Sequence, residues 1–297
     1  MRILAILAAY NERIFIQPVI RHLAAQGVET YLIDNDSTDG TLDLARQLEG
    51  NGLAGWERLP REGVFEWSRI LRQKMAVADR IPSDWYLHSD CDEFRLPPTG
   101  FGTMAEALDS VDRDGFNAVN FEEFTFIPVR EAPHHEHADF LSTMRWYYCF
   151  EPFPLHRLNA WKRPSAPIDL LRVGGHQVDF PDQRIAPIRF RMRHYVMLSL
   201  AQAHRKYDLH YSAEDAKRGW FGWRNNSRRR PLLLPPARAL MTYHSDAQLV
   251  YREPLTQHIL GDLWEGKRPQ FPNDPGWRWR LGFAWQQRRS PHAVARA

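Results

Sequence analysis

Three short clusters hold the side chains best suited to chemistry. Asp90-Cys91-Asp92-Glu93 follows the apolar run Trp85-Tyr86-Leu87. Two carboxylates at i and i+2 beyond a strand end can share a hard divalent cation, directly or through water, leaving coordination positions for phosphate oxygens. Mg2+ or Mn2+ held there would offset charge developing on a departing diphosphate. A second cluster, Asp34 to Thr41, combines a helix start, with Ser37 or Thr38 as cap and Asp39-Gly40 as turn, and the carboxylates of Asp34 and Asp36. Either of those two can accept hydrogen bonds from a base or ribose. The third cluster is Ala8-Ala9-Tyr10-Asn11-Glu12. Its small residues admit a ligand closely, and Asn11 and Glu12 add polar contacts.

These clusters act together only if the chain between them folds them onto one edge. Ile3 to Leu7 is a continuous apolar run, as expected of a strand covered on both faces. Ile16, Val19, Ile20 and Leu23 recur at helical spacing and end at Gly27, a C-terminal cap. Thr30–Ile33 reads as a second strand, and Leu42, Leu44, Ala45 and Leu48 mark a helix. Trp56–Leu59 reads as a third strand, 65–80 as a helix and Trp85–Leu87 as a fourth strand. That alternation predicts an α/β fold with a mostly parallel sheet flanked by helices and ligands at the carboxyl ends of its strands. All three clusters sit at such ends. Beyond residue 94 the spacing predicts a helix at 103–112, a strand over 118–127, a loop over 128–137, several short strands over 140–195 such as 188–195, and a helix over 199–217. The tail beyond Arg288 reads as disordered.

Other classes are excluded. There is no G-x-G-x-x-G and no P-loop, and position 45, where an EF-hand needs Glu, is Ala. No apolar run reaches the length of a membrane span, and the N-terminus lacks a signal-peptide pattern. Two cysteines, Cys91 and Cys149, argue against a disulfide scaffold or a four-ligand zinc site and fit a reducing cytoplasm. The net charge of +3 hides a split: residues 1–183 carry −10 and residues 184–297 carry +13. An acidic half suits a cation and a basic half an anion.

With these motifs in this order, residues 3 to about 95 resemble the family-2-type glycosyltransferases of the GT-A fold. The likeness rests on Asn11-Glu12 after the first strand, Asp34 to Thr41 after the second, and Asp90-Cys91-Asp92 after the fourth. It implies a nucleotide-sugar donor, with Asn11, Glu12, Asp34 and Asp36 at the nucleotide and Asp90 and Asp92 at the metal. The form Ser89-Asp90-Cys91-Asp92-Glu93-Phe94 is most similar to a bacterial subgroup with a downstream His-Tyr pair. Here that pair is His194-Tyr195, followed by Ser199 and Lys206. His194 becomes a third metal ligand by this likeness, and Lys206 a clamp on the diphosphate. The chain departs from the family in its third helix, which lacks the usual Asn but offers Arg69, Arg72 or Lys74 to a base or phosphate. It also lacks the Glu-Asp pair that would supply a base.

An inverting transfer needs a group to take the acceptor hydroxyl's proton. Glu122 and Glu123 lie on an otherwise apolar strand, and His176 follows two glycines that allow close approach. Asp169, Asp179 or a retaining route are the alternatives. His134, His135 and His137 read as loop residues. The basic-aromatic run from Arg218 to Arg230 suits an acceptor or diphosphate surface, or a peripheral contact with the inner face of a membrane. It carries no recognised nucleic-acid motif. The expectation is a cytoplasmic, metal-dependent glycosyltransferase acting on a saccharide or lipid-linked acceptor. Its catalytic domain would span 1–198, with a helical, basic extension over 199–297 packed on it. An inert sugar- or anion-binding relative and a nucleotidyltransferase on a similar sheet are the rival readings.

Overall fold

The computed structural model describes residues 1–207, 209–220, 234–259 and 273. In chain order its elements are β1 (Ile3–Ala9), α1 (Ile16–Ala25), β2 (Glu29–Asp34), α2 (Thr41–Arg46), β3 (Leu53–Arg58), α3 (Trp67–Arg80), β4 (Trp85–Asp90) and β5 (Glu93–Leu96). There follow α4 (Met104–Arg113), β6 (Ala118–Phe126), α5 (Phe140–Thr143), β7 (Trp146–Phe150), β8 (Leu158–Lys162), β9 (Phe190–Tyr195), α6 (Leu200–Tyr207), α7 (Ala213–Lys217) and β10 (Met241–Thr242).

The apolar run at the N-terminus becomes the centre of the sheet. β1 pairs in parallel with β2 on one side and β4 on the other, and β2 pairs in parallel with β3. Side chains alternate faces along a strand. Ile3, Ala5, Leu7 and Ala9 therefore enter the core beneath α1, α2 and α4, while Leu4 and Ile6 enter the opposite core beneath α3. Both faces of β1 are covered, which explains its unbroken hydrophobicity. Gly27 ends the turn after α1 at φ +76°, and an added Cβ there would lie 2.7 Å from Ala105 Cβ on α4. Its lack of a side chain serves both the left-handed turn and the helix contact.

β4 meets β8 antiparallel, and β8 meets β6. A register shift at Val119/Asn120 lets β6 change partner, so that residues 121–126 pair in parallel with β9 and 123–126 antiparallel with β7. β5 leaves the acidic motif directly and pairs with β9, placing Glu93 opposite His194. The sequence reading had no equivalent of β5, and it placed β7 and β8 no more closely than among short strands within 140–195. The parallel βα units flanked by helices are as expected; the antiparallel pairings that continue them, β4 with β8 and β6 with β7 and β8, go beyond that reading.

The single helix expected over 199–217 is instead two, α6 and α7. Asp215 on α7 accepts from the backbone N–H groups of Trp67 (2.6 Å) and Ser68 (3.1 Å), capping α3 from another part of the chain. Residues 128–137 form no helix or strand, as read. Most of the basic-aromatic run, the tail and much of the expected helical extension lie outside the described residues. No helix among the described residues is long and apolar enough to cross a membrane.

Candidate active site

Parallel register places the three clusters side by side. Ala8 pairs with Asp90 and Ala9 with Asp34, so the loops leaving β1, β2 and β4 share one edge. They border a cavity of about 1120 Å³ whose lining includes Tyr10, Asn11, Glu12, Asp39, Asp90 and Asp92 together with His156, Arg157, His176 and Trp220.

Each carboxylate of the acidic motif is held by a lysine. Lys74, wholly buried in α3, donates through Nζ to Asp90 Oδ1 (3.1 Å) and Ser89 O (2.8 Å), with His88 Nδ1 3.2 Å away. Burial would raise the Asp90 carboxyl, but Lys74 outweighs it and holds the group at about 2. Lys206 Nζ donates to Asp92 Oδ2 at 2.5 Å. His194 donates through Nδ1 to Glu123 Oε1 (2.6 Å), which leaves Nε2 3.7 Å from Asp92 Oδ1. Burial opposes charge on this ring, yet the Glu123 and Asp92 carboxylates push it up to about 9. Burial likewise opposes the Asp92 charge, but Lys206 and His194 hold that carboxyl well below its usual range.

The donor set fits a hard divalent cation. Two carboxylates line one cavity, and an imidazole turned toward one of them gives its other nitrogen to a carboxylate, the support that metal-bound histidines commonly have. As arranged here the cationic partners are Lys206 and charged His194. Among the described residues no three His, Cys, Asp or Glu side chains converge as a closed ligand shell.

Arg157 organises the floor. Its guanidinium reaches Glu123 Oε2 (2.7 Å), Glu93 Oε1 (3.1 Å) and His176 Nδ1 (3.3 Å). Arg95, fully buried, pairs with Glu93 at 2.5 Å. Glu12 borders the same space; burial, reinforced by Asp92, Asp39 and Asp90 against the pull of Lys206, pushes its carboxyl up to about 8.

Several sequence expectations are redirected. Glu122 does not border the cavity, and its charged neighbours are Arg189, Glu151 and Arg191. Glu123 is fully buried, bound by Arg157, His194 and Thr125, and held well below its usual range, so it makes a poor proton acceptor. His176 does border the cavity. Arginine can only donate, so its contact makes His176 Nδ1 an acceptor and puts the ring proton on Nε2. Burial and Arg157 press this ring down to about 3. It offers an N–H rather than a base. Lys74 is wholly buried beneath Asp90 and does not border the cavity. Arg69 stands outside the cavity, 3.8 Å from Glu62, and Arg72 pairs with Glu214.

Asp34 and Asp36 mainly build the loop. Asp34 Oδ2 accepts from Ser37 N, and Asp36, at φ +59°, accepts from Arg61 N. Asp34 Oδ1 stays buried with no partner among the described residues. Asn11 Oδ1 accepts from Thr38 N, joining the first two loops. Asp169 pairs with Asp179 through reciprocal backbone bonds outside the cavity. His135 is buried, with its ring between Thr143 and Ala132 O, a structural role.

Sequence reasoning missed Arg157, His156 and Arg61, whose guanidinium lies 3.7 Å above the Tyr10 ring. Nothing in their local sequence marks them. Glu93 was legible only as a neighbour of the acidic pair.

Residues 5–64 match the model of glycosyl transferase family 2, which covers the first two clusters but ends before the acidic motif. No curated protein sequence is significantly similar. Among solved structures, residues 1–349 of Staphylococcus aureus TarS align over 66% of this chain and 60% of that one, with 13% identity and a TM-score of 0.41. A Pyrobaculum calidifontis mannosyltransferase in complex with GDP-Man and Mn2+ aligns over 55% and 44%, at 20% identity and TM-score 0.33. Glucosyl-3-phosphoglycerate synthase from Mycobacterium tuberculosis, with Mn2+ and UDP, aligns over 42% and 44%, at 19% identity and TM-score 0.28. The chain thus spans less than two thirds of each of these chains.

Proposed function

We propose that the protein is a metal-dependent glycosyltransferase that moves a sugar from a nucleotide-diphospho-sugar to an acceptor hydroxyl with inversion. The observation that carries this reading is the convergence, in one cavity, of the Asp90/Asp92 pair with the loops that close β1 and β2. The family match over 5–64 supports it. Asn11, Glu12 and Asp39 border the nucleotide side, with Asp34 Oδ1 an unused acceptor behind them. Asp90, Asp92 and His194 would hold Mn2+ or Mg2+, which when bound neutralises charge on the leaving diphosphate. Lys206, which borders the same cavity beside Asp92, would bind that diphosphate. Lys74 stays beneath Asp90 and fixes its orientation.

The test is thermal unfolding with UDP, GDP, CDP and dTDP, with and without Mn2+. One nucleotide at about a hundred times its Kd should stabilise the fold by about 2.7 kcal/mol, and more with metal than without. Asp92→Asn should abolish the metal-linked part. A full metal-linked shift in that variant, or no shift with any of the four nucleotides, refutes the reading. The anomeric configuration of product, read by NMR, tests inversion.

A further inference from the structure

We propose that the end of β4 opposite the acidic motif carries a second ligand site, one for a small carboxylate with an apolar body, held by the Trp161 indole N–H and the Arg163 guanidinium.

Strand positions separate this site from the one above. Asp90 is the last residue of β4 and Tyr86 the second, so about 13 Å of strand lies between them. Tyr86 stands opposite Trp161 on β8. Arg163 directly follows β8, and its backbone N–H donates to Asp84 O at 2.9 Å. A cavity of about 310 Å³ opens beside these residues. Ala78 and Asp79, near the C-terminal end of α3, and residues 164–168 complete its lining, which shares no residue with the larger cavity. Its volume is at the lower end of the ~300–1,000 Å³ usual for small-molecule sites.

Much of the lining is apolar. The Tyr86 and Trp161 rings stack with centroids 5.8 Å apart and 22° between planes. Ala78, Pro164, Ala166, Pro167 and Ile168 border the same space. The two prolines stiffen their segment and leave it without two N–H groups to satisfy.

The polar groups still unspent are donors. The Tyr86 hydroxyl is fully used: it donates to Ile81 O (2.8 Å) and accepts from Ser83 N (3.0 Å) and Arg163 Nη1 (3.1 Å). Trp161 is 1% exposed, and its Nε1–H has no hydrogen-bond partner among the described residues. A buried donor left unpaired is costly, and an indole N–H can only donate, so only an acceptor brought to it satisfies it. The Arg163 side chain binds neutral oxygens, the Tyr86 hydroxyl and Asp79 O (3.3 Å), and is ion-paired with no carboxylate among the described residues.

A carboxylate answers both groups. Its oxygens only accept, and they suit the fork of a guanidinium, while an apolar body matches the rings and prolines. A cationic ligand would leave the indole N–H unmet. Asp79 is the one acid on this lining, and it is exposed, where water screens its charge.

Calorimetric titration and NMR of the indole N–H groups, both on the full chain, test this. The probes are benzoate and isovalerate. The controls are acetate and inorganic phosphate, anions without an apolar body, and benzylamine, an apolar body with a cation. The indole resonance lost in Trp161→Phe assigns Trp161. Benzoate or isovalerate should shift that resonance and bind at least tenfold more tightly than every control. Arg163→Gln should weaken that binding at least tenfold, and Trp161→Phe at least threefold. Thermal melts confirm folding, and Arg163→Gln, at an exposed position, carries the test by calorimetry if Trp161→Phe does not fold. No binding of either probe, no shift at Trp161, or affinity unchanged in the folded variants overturns the site. Acetate or phosphate binding as tightly as the probes would mean an adventitious ion only, and overturns it too. Arg163→Gln should leave stabilisation by nucleotides unchanged, so the donor reading stands or falls separately.

Discussion

Replacing Lys74 with Met gives a quantitative test of how the acidic motif is supported. The side chains are of similar length, so packing in α3 is nearly conserved while the ammonium disappears. Lys74 then no longer donates to Asp90 Oδ1 or Ser89 O, and the nearby His88 Nδ1 loses its neighbour. Breaking a fully buried pair costs about 3–5 kcal/mol. The Asp90 side chain is 34% exposed and keeps some water, so about 2–3 kcal/mol is expected. For a chain of this size that is roughly 4–12 °C in Tm. The sign with pH follows from the depressed Asp90 carboxyl: its contribution is present above 3.8 and lost as pH falls through about 2. At pH 7 the wild type therefore holds the whole term. The assay is urea unfolding at pH 7 of Lys74→Met, Asp90→Asn and the double variant. If the charge pair is the cause, the double variant is more stable than additivity predicts by at least about 1 kcal/mol. Additivity within about 0.5 kcal/mol would show that Lys74 acts by filling space, and the account of how Asp90 is held would fail.

Other perturbations probe separate links. Asp215→Ala removes the cap that α7 places on two N–H groups of α3 and should cost about 1–2 kcal/mol in urea unfolding, with Asp215→Asn losing less. Gly175→Ala forces a side chain onto φ +84°, with Cβ 3.0 Å from Leu71 and 3.1 Å from His88, and should cost about 1–3 kcal/mol; an unchanged Tm would contradict that crowding. Burial lowers His22 to about 4, and its Nε2–H donates to Arg95 O at 2.7 Å. The unfolded chain binds this proton near 6.5, so stability falls as pH drops from 6.5 toward 4, by about 1–2 kcal/mol at pH 5. His22→Gln should flatten that part of the stability–pH curve; an unchanged slope would show that His22 is not its source.

The parallel half of the fold was readable because its signals are local. β1, β2 and β4 carry apolar runs, the helices between them carry 3.6-residue stripes, and each polar cluster follows its strand directly. The antiparallel half was harder to read. β7 and β8 are short and lie among aromatics and prolines, and β6 changes partners at Val119/Asn120, which no periodicity announces. Glu122 and Glu123 show the consequence: alternation required opposite faces, but which face met the cavity depended on β9 and Arg157. His176 was singled out as a candidate base, while its hydrogen-bonding role was set by an arginine 19 positions away.

The order of residues by itself determined the α/β layering and the placement of Asn11, Asp34 and Asp90 at neighbouring strand ends, and it singled out the acidic pair as the candidate centre. In a parallel βα repeat the covalent order of strand, loop and helix already puts those loops on one edge. Only the tertiary structure decided which cations hold each carboxylate, that Glu123 is a buried anchor, and that His176 presents an N–H. Those roles arise from contacts between segments far apart in the chain, where burial and the charge of a distant neighbour, rather than residue type, set what a side chain can do.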